Sequence, residues 1–532
     1  MKNIFSLFIC CLFISTLSAQ EIKTGNTQVA NKEVFKISVE DYNDKVHAIW
    51  SGQIIATLMG LPAEHTVASV KWIDKIQPNL LSRLLDDDWY YEMIAIKGFE
   101  KFGPEMTVAQ LGEMWKQNKC GSWGSSAEAR KLLENGVQSP LTGNPLYNRF
   151  WFTIGPQFSA DVYGALSPGM PNLAGKMARE YGHVNGYAEG VDGAVFVATA
   201  ISLGFIEKDT KTIVRKAASM IDEKSPYRQC LNMVIEMADK GSSAQKILET
   251  VEQRWHIEYP NTNNAVANGG IIATCLWFGE ADFLKTVNLA SRSLDFTDSD
   301  CNAANAIGVI MAMKGTAGIP KGLMEQLGDT IKGDKMGKVE FNPAINESIS
   351  ELGKRTAKIG EKIVLLNGAS RTGNTLVIPI KPLATQPAEL FSLSDYTKTW
   401  NPSWQLVGAG FFGPKGGTYL DVNENVLVTY PRDEVRRLNL NQTIKLKDQK
   451  QLSINVASDL GKPWELIVYI DDEKKSTTII ESISESAKWQ EIIVDLTKYQ
   501  GQEIKIRLYQ NVLIQGTNKL GGSAYWKSIT IL

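Results

Sequence analysis

What most constrains this chain is a change of periodicity partway along it. From about Val34 to Ile363, apolar residues recur at three- and four-residue spacings, as in Val46–Leu58, Ala127–Leu133, Leu173–Tyr181, Ala194–Phe205 and Ala303–Met313. Gly, Pro and Asn loops separate these runs, a pattern of packed amphipathic helices. Around Gly368–Pro387 the helical spacing stops. Beyond it, short alternating runs begin at Leu452, Trp464, Ile492 and Ile504, with turn residues between them. Strands of this length and spacing predict an antiparallel β-sandwich. The expected organisation is a large all-α domain over 34–365, a join over 366–389 and a jelly-roll-like sandwich over 390–532. Helices rich in Ala and Gly, around Gly190–Ala194 and Ala303–Ala306, can approach their neighbours closely and are expected at the centre.

A chain of 532 residues is too long for one ordinary domain. With 43% hydrophobic and 21% charged residues it has the makings of ordinary cores, which excludes a disordered or collagen-like chain. Its formal net charge is −2, so no global basic field gathers nucleic acid. Met1-Lys2-Asn3 leads into the apolar run Ile4 to Leu17 and then Ser18-Ala19-Gln20. That run falls short of the roughly 20 residues that span a bilayer, and the small residues after it suit cleavage. Residues 1–19 therefore read as a signal peptide, with a periplasmic or secreted protein and no transmembrane segment after cleavage. The remaining cysteines, Cys120, Cys230, Cys275 and Cys301, show no CxxC spacing, so no zinc knuckle is indicated. Cys230 and Cys275 lie in apolar helical surroundings, which predicts buried thiols.

Two acidic clusters stand about 210 residues apart, Asp86-Asp87-Asp88 and Asp298-Ser299-Asp300, each just before a helical run. Taken singly, either is a helix cap, since carboxylates accept the free N–H groups of a first turn. Taken together they exceed what capping needs. Adjacent carboxylates repel unless solvent or a cation separates them. Hard oxygen donors from two helix ends are what Mg²⁺ or Mn²⁺ requires.

The order of motifs resembles the ADP-ribosylglycohydrolase family, also described as the dinitrogenase-reductase-activating glycohydrolase-like fold. The resemblance runs from about Asp44 to Pro320. It rests on the Gly52 to Glu64 segment with its Gly60-Leu61-Pro62-Ala63-Glu64 turn, Asp86-Asp87-Asp88-Trp89, and the connecting Gly143-Asn144-Pro145, Ile154-Gly155-Pro156-Gln157 and Ser167-Pro168-Gly169-Met170-Pro171. It closes with Asp298-Ser299-Asp300-Cys301-Asn302 and Gly315 through Ile319-Pro320. Asp86 and Trp89 stand where the family usually has threonine, as does Cys301. The resemblance implies one or two divalent ions, Mg²⁺ or Mn²⁺, held by Asp86, Asp87, Asp88, Asp298 and Asp300. It implies catalysis by Asp87, Asp300 and Glu64, the last as acid/base, against the plain alternative of a surface carboxylate.

Asn144, Gln157, His183, Asn185, Tyr259 and Asn261 are the candidates for the pocket wall, because amides, phenols and imidazoles read sugar hydroxyls directionally. The alternative for each is loop structure. The implied function is metal-dependent hydrolysis of a glycosidic bond in a glycoside or ADP-ribosyl-like substrate, with a small molecule or glycan as partner. A non-catalytic sugar- or nucleotide-binding relative with a degenerate metal site is the second reading, and a surface protein working through its sandwich the third. Trp464, Trp489 and Trp526 are expected in the sandwich core. Trp400 and Trp404 either stack on sugar rings or pack the sandwich onto the helical domain. The sandwich loosely resembles galactose-binding-like and carbohydrate-binding modules.

Overall fold

The computed structural model describes residues 33–532 apart from 82–84, 146, 149, 257–262, 296, 337, 390–396, 398–399, 408–409, 416–417, 420–421, 424–425, 432–437, 483–488 and 514–522. The signal-peptide stretch, Tyr259 and Asn261 lie outside the described residues. No helix among the described residues is long and apolar enough to cross a membrane.

Helices dominate from Val39 to Leu366. Their starts carry the expected caps: Ser38 accepts from the Asp41 N–H at 2.9 Å, Asn264 from Ala267 at 2.8 Å and Asp282 from Lys285 at 2.8 Å. The centre is built by three helices, Val39–Gly60, Glu189–Gly204 and Ser299–Lys314, whose residues are buried on nearly every side. Small residues make this possible. A Cβ on Gly308 would meet the Asp161 carboxylate at 2.4 Å, and one on Gly204 would meet the Val309 carbonyl oxygen at 2.8 Å. The first and last of these helices lie antiparallel, so that Gly52 faces Met311 while Gly60, at the C-terminal end of one, abuts Asp300, at the N-terminal start of the other.

Two small strand pairs interrupt the helical texture. Thr330–Met336 pairs with Val339–Ser348, and Val34–Ser38 pairs with Thr375–Pro379 from Val34↔Pro379 to Ser38↔Thr375. The second pair, extended by Ser370–Thr372, ties both ends of the helical region into one sheet. The stretch read as a join thus contains two strands of this sheet. Its remainder lies along the helical surface. Asn172 donates to the Pro382 carbonyl oxygen at 2.8 Å and accepts from the Ala384 N–H at 2.9 Å, and the Gln386 N–H donates to the Met220 carbonyl oxygen at 2.7 Å.

The C-terminal region forms two five-stranded antiparallel sheets. One runs in the order Gln490–Asp495, Gln451–Ser458, Ala524–Ile531, Val426–Pro431, Gly410–Lys415. The other runs Glu473–Ile480, Trp464–Ile470, Glu503–Val512, Leu438–Lys445, Gln405–Val407. Alternation is clean: Ile504, Ile506 and Leu508 are buried while Glu503 and Lys505 are exposed. Trp464 and Trp526 meet in the core at 5.3 Å, and their indole N–H groups donate to the Ala457 carbonyl oxygen and to Thr429 Oγ1. Trp404 is also a core residue, 2% exposed, and Trp400 packs against the same core. Neither role weighed for the pair describes Trp404, because its ring is consumed inside the sandwich. Trp489 packs instead on a satellite cluster of Val426, Val428, Ala457 and Tyr525.

Candidate metal centre

The two acidic clusters begin two helices. Asp86 is the N-cap of Asp87–Phe102, accepting from the Asp88 N–H at 3.2 Å. Asp298 precedes Ser299–Lys314 without capping it through its side chain. The carboxylate of Asp298 is instead held by Asn263, whose Nδ2 donates to Oδ2 at 2.6 Å. The clusters meet, because the Cys301 thiol, one residue past Asp300, donates to Asp88 Oδ1 at 2.9 Å. Glu64 arrives from the turn after the Val39–Gly60 helix. That helix end is fixed on the second cluster by Ser299 Oγ, which donates to the Gly60 carbonyl oxygen at 2.9 Å.

Burial of so many acids in one place is unfavourable without a counter-charge. Burial, and then the charges of Asp86, Asp298 and Glu64, push the Asp87 carboxyl well above the usual range. Asp88 and Asp300 are raised in the same way, burial first and then neighbouring acids from both clusters. Asp86 is pushed up to about 6, the hydrogen bond from Asp88 opposing its burial. Although the Glu64 side chain is 35% exposed, desolvation and the charges of Asp298 and Asp86 push it up to about 8.

Three carboxylate oxygens in the cluster, Asp88 Oδ2, Asp298 Oδ1 and Asp300 Oδ1, are buried without a hydrogen-bond partner among the described residues. Orphaned buried carboxylate oxygens drawn from two helix starts are the donor chemistry that a hard divalent cation takes. The groups Asp86, Asp87, Asp88 and Asp298, Asp300, Cys301 each bring ligand atoms within 4.8 Å of one another. Thiols suit Mg²⁺ poorly, and Cys301 is used as a donor to Asp88 instead. Trp89 is 1% exposed and belongs to the core. The four cysteines described are free and buried, Cys230 and Cys275 as expected.

The four described residues proposed for the pocket wall each engage the protein itself. Gln157 is fully buried, accepting from the Tyr227 hydroxyl at 2.9 Å, and Asn185 is 1% exposed, donating to Ser126 Oγ at 3.0 Å. Both are enclosed by protein, although Gln157 Nε2 has no hydrogen-bond partner among the described residues. The Asn144 carbonyl oxygen accepts from the Tyr147 and Asn148 N–H groups and closes a turn. His183 sits 2.9 Å from Glu389 of the surface strap, which also pairs with Arg179 at 3.2 Å and accepts from the Ala188 N–H at 3.1 Å. Burial would raise the Glu389 carboxyl, but the hydrogen bond from His183 and the Arg179 charge outweigh it and hold it low.

Two residues that sequence reasoning passed over stand at the centre, Asn263 and His65. His65 Nε2 lies 3.5 Å from Glu64 Oε1 and 3.7 Å from Asp298 Oδ2. Its place beside Glu64 was the only signal in the sequence.

Among solved structures, one described as an ADP-ribosylglycohydrolase-related protein complex is similar over 61% of this chain and 99% of its own, at 12% identity and a TM-score of 0.43. The β region is similar to a family 61 carbohydrate-binding module in complex with β-1,4-galactotriose, at 12% identity and a TM-score of 0.17, over 25% of this chain and 83% of that one. It is also similar to a family 36 carbohydrate-binding module in complex with calcium and xylotriose, at 9% identity and a TM-score of 0.16, over 24% of this chain and 92% of that one. No curated protein matches the chain. The family model for ADP-ribosylglycohydrolase matches residues 38–356, more than half of the chain and all of the cluster-bearing helices. The protein therefore belongs to the ADP-ribosylglycohydrolase family.

Proposed function

We propose that this family member is an exported, divalent-metal-dependent hydrolase that cleaves the glycosidic bond of a glycoside or ADP-ribosyl-like substrate. The observation that carries the reading is the convergence of Asp86–Asp88 with Asp298–Asp300 around buried carboxylate oxygens that lack partners among the described residues. Asp87, Asp88, Asp298 and Asp300 would hold the ion, with Asp86 beside them. A bound divalent ion orients sugar hydroxyls and acidifies water. The chain itself supplies the rest. Glu64, pushed up to about 8 in the metal-free protein by burial and the charges of Asp298 and Asp86, stands at the more open side of the cluster and is the candidate for proton exchange. Asn263 fixes the orientation of Asp298, and the Cys301 thiol does the same for Asp88. Export rests on the amino-terminal sequence and favours an extracellular glycoside over an intracellular ADP-ribosyl protein.

The test is a panel of ADP-ribosyl conjugates and aryl glycosides assayed with Mg²⁺ or Mn²⁺. Asp87→Ala and Asp300→Ala should each abolish hydrolysis and metal binding while the circular dichroism spectrum stays that of the wild type. Full turnover in excess chelator, or unchanged turnover in both variants, removes the reading. Binding of sugar or nucleotide with no turnover of any conjugate would favour the non-catalytic relative, for which Trp89 and Cys301 are the motivating residues.

A further inference from the structure

The turn after the first long helix places an imidazole where the donor set just described has none. His65 adopts a left-handed backbone, φ 49°, and its N–H donates to the Thr297 carbonyl oxygen at 3.0 Å, which pins the turn beside Asp298. From there Nε2 faces Glu64 Oε1 at 3.5 Å and Asp298 Oδ2 at 3.7 Å. Hydrogen bonds from nitrogen to oxygen run about 2.7–3.2 Å, so neither contact is one. Donors that share an ion at about 2.1 Å are separated by about 3.0 Å at a right angle and about 3.4 Å at a tetrahedral angle. The spacing found is close to the second figure. One ligand atom from each of Glu64, His65 and Asp298 fits within 4.8 Å; Asp298 is 2% exposed, its Oδ1 lacks a hydrogen-bond partner among the described residues, and its Oδ2, which faces His65, is oriented by Asn263 Nδ2. A plain surface pair between His65 and Glu64 would contribute little and gives no reason for Asp298 to lie equally near.

We propose that His65 is a ligand of this centre, joining Asp298 on one ion, with Glu64 beside them left as the carboxyl that exchanges a proton. The inference rests on the metal-dependent reading above. An all-carboxylate set suits Mg²⁺, whereas an imidazole nitrogen favours Mn²⁺ and the later first-row ions. His65 is thereby the residue that sets which ion this chain prefers.

The experiment is calorimetric titration of the metal-free full chain with MnCl₂ and with MgCl₂, in wild type and His65→Gln. The glutamine variant should weaken Mn²⁺ binding by about tenfold or more while Mg²⁺ binding changes by less than about threefold. Pulsed EPR of the Mn²⁺-loaded, ¹⁵N-histidine-labelled wild type should show a nitrogen coupling that His65→Gln loses; the chain has 4 histidines, which keeps the assignment tractable. A wild type without nitrogen coupling, or an unchanged Mn²⁺/Mg²⁺ ratio in the variant, overturns the role of His65 and leaves the metal-dependent reading standing. A wild type that binds neither ion overturns both. Should His65→Gln fail to fold, the wild-type EPR spectrum alone decides.

Discussion

Gly60→Ala tests whether the helix contact positions the metal centre. A Cβ at this position would lie 2.5 Å from Asp300 Cα, 2.8 Å from Asp300 N and 3.0 Å from the Ser299 carbonyl oxygen. All three are backbone atoms, so no side-chain rotation relieves the clash. Carbon atoms pack at about 3.5–4.0 Å, so the two helix ends must part by about 1 Å. Overpacking of this kind costs about 1–3 kcal/mol, less than the roughly 5–15 kcal/mol that holds a domain folded. The variant should therefore fold, with a Tm lowered by roughly 2–10 °C. The larger effect falls on the site. Moving Asp300 against Asp88 should weaken Mn²⁺ binding by about 10–100-fold, the range seen when the support of a metal ligand is disturbed. Gly52→Ala is the control on the same helix. There the added Cβ meets Met311 Cγ at 2.6 Å and Ile307 Cγ2 at 3.0 Å, side-chain atoms about two to three helical turns beyond Asp300, so the clash does not fall on the backbone of a ligand. Gly52→Ala should keep Mn²⁺ affinity within about twofold of wild type, for a side-chain adjustment distant from the ligands. Equal Mn²⁺ affinities in the two variants, measured by calorimetry and compared with their melting temperatures, would refute the reasoning.

The metal-free protein should lose stability as pH rises. Glu64 and Asp86 are raised to about 8 and about 6, and Asp87, Asp88 and Asp300 well above the usual range, so the folded state binds more protons than the unfolded one. The stability these groups contribute is complete below about pH 4, where both states are protonated, and is lost as pH rises through 6 and 8. Mn²⁺ should remove that slope and release protons on binding; a metal-free Tm that rises from pH 5 to pH 8 contradicts the cluster's electrostatics. Separately, Glu389→Gln removes the carboxylate shared by Arg179 and His183, and should lower unfolding free energy by up to about 3 kcal/mol, since Arg179 keeps its partner Asp192 at 2.7 Å. Chemical denaturation measures it, and Mn²⁺ affinity should not change.

What was legible in the sequence follows from which properties are local. Helical periodicity and the alternation of Ile504, Ile506 and Leu508 depend on neighbours a few residues apart, so both halves of the architecture were readable. The strands 330–348 and 370–379 were not. They are short pairs embedded in helical or Gly-rich surroundings, and the partner of 375–379 lies at residues 34–38, far outside any window. The acidic clusters were readable as helix starts because capping is local, and Asp86 is indeed a cap. Their meeting was beyond spacing arguments and entered only through family resemblance.

Residue type alone does not say whether a polar group faces a cleft or the interior. Gln157 and Asn185 have the chemistry to read a sugar, but both are buried in the bundle, where polar atoms are drawn to protein partners. Gln157 accepts from Tyr227, Asn185 donates to Ser126, and His183 engages a strap more than 200 residues away in sequence. The same argument runs the other way for His65. Its chemistry was visible, but its position depends on a left-handed turn and on a hydrogen bond to Thr297, neither of which leaves a periodic trace. Gly60 connects these cases. A glycine near the end of a helix ordinarily reads as a stop signal, whereas this one has αR geometry, φ −79°, and is needed because Asp300 passes where a Cβ would be. A glycine chosen for approach rather than for φ marks where two helices share a site.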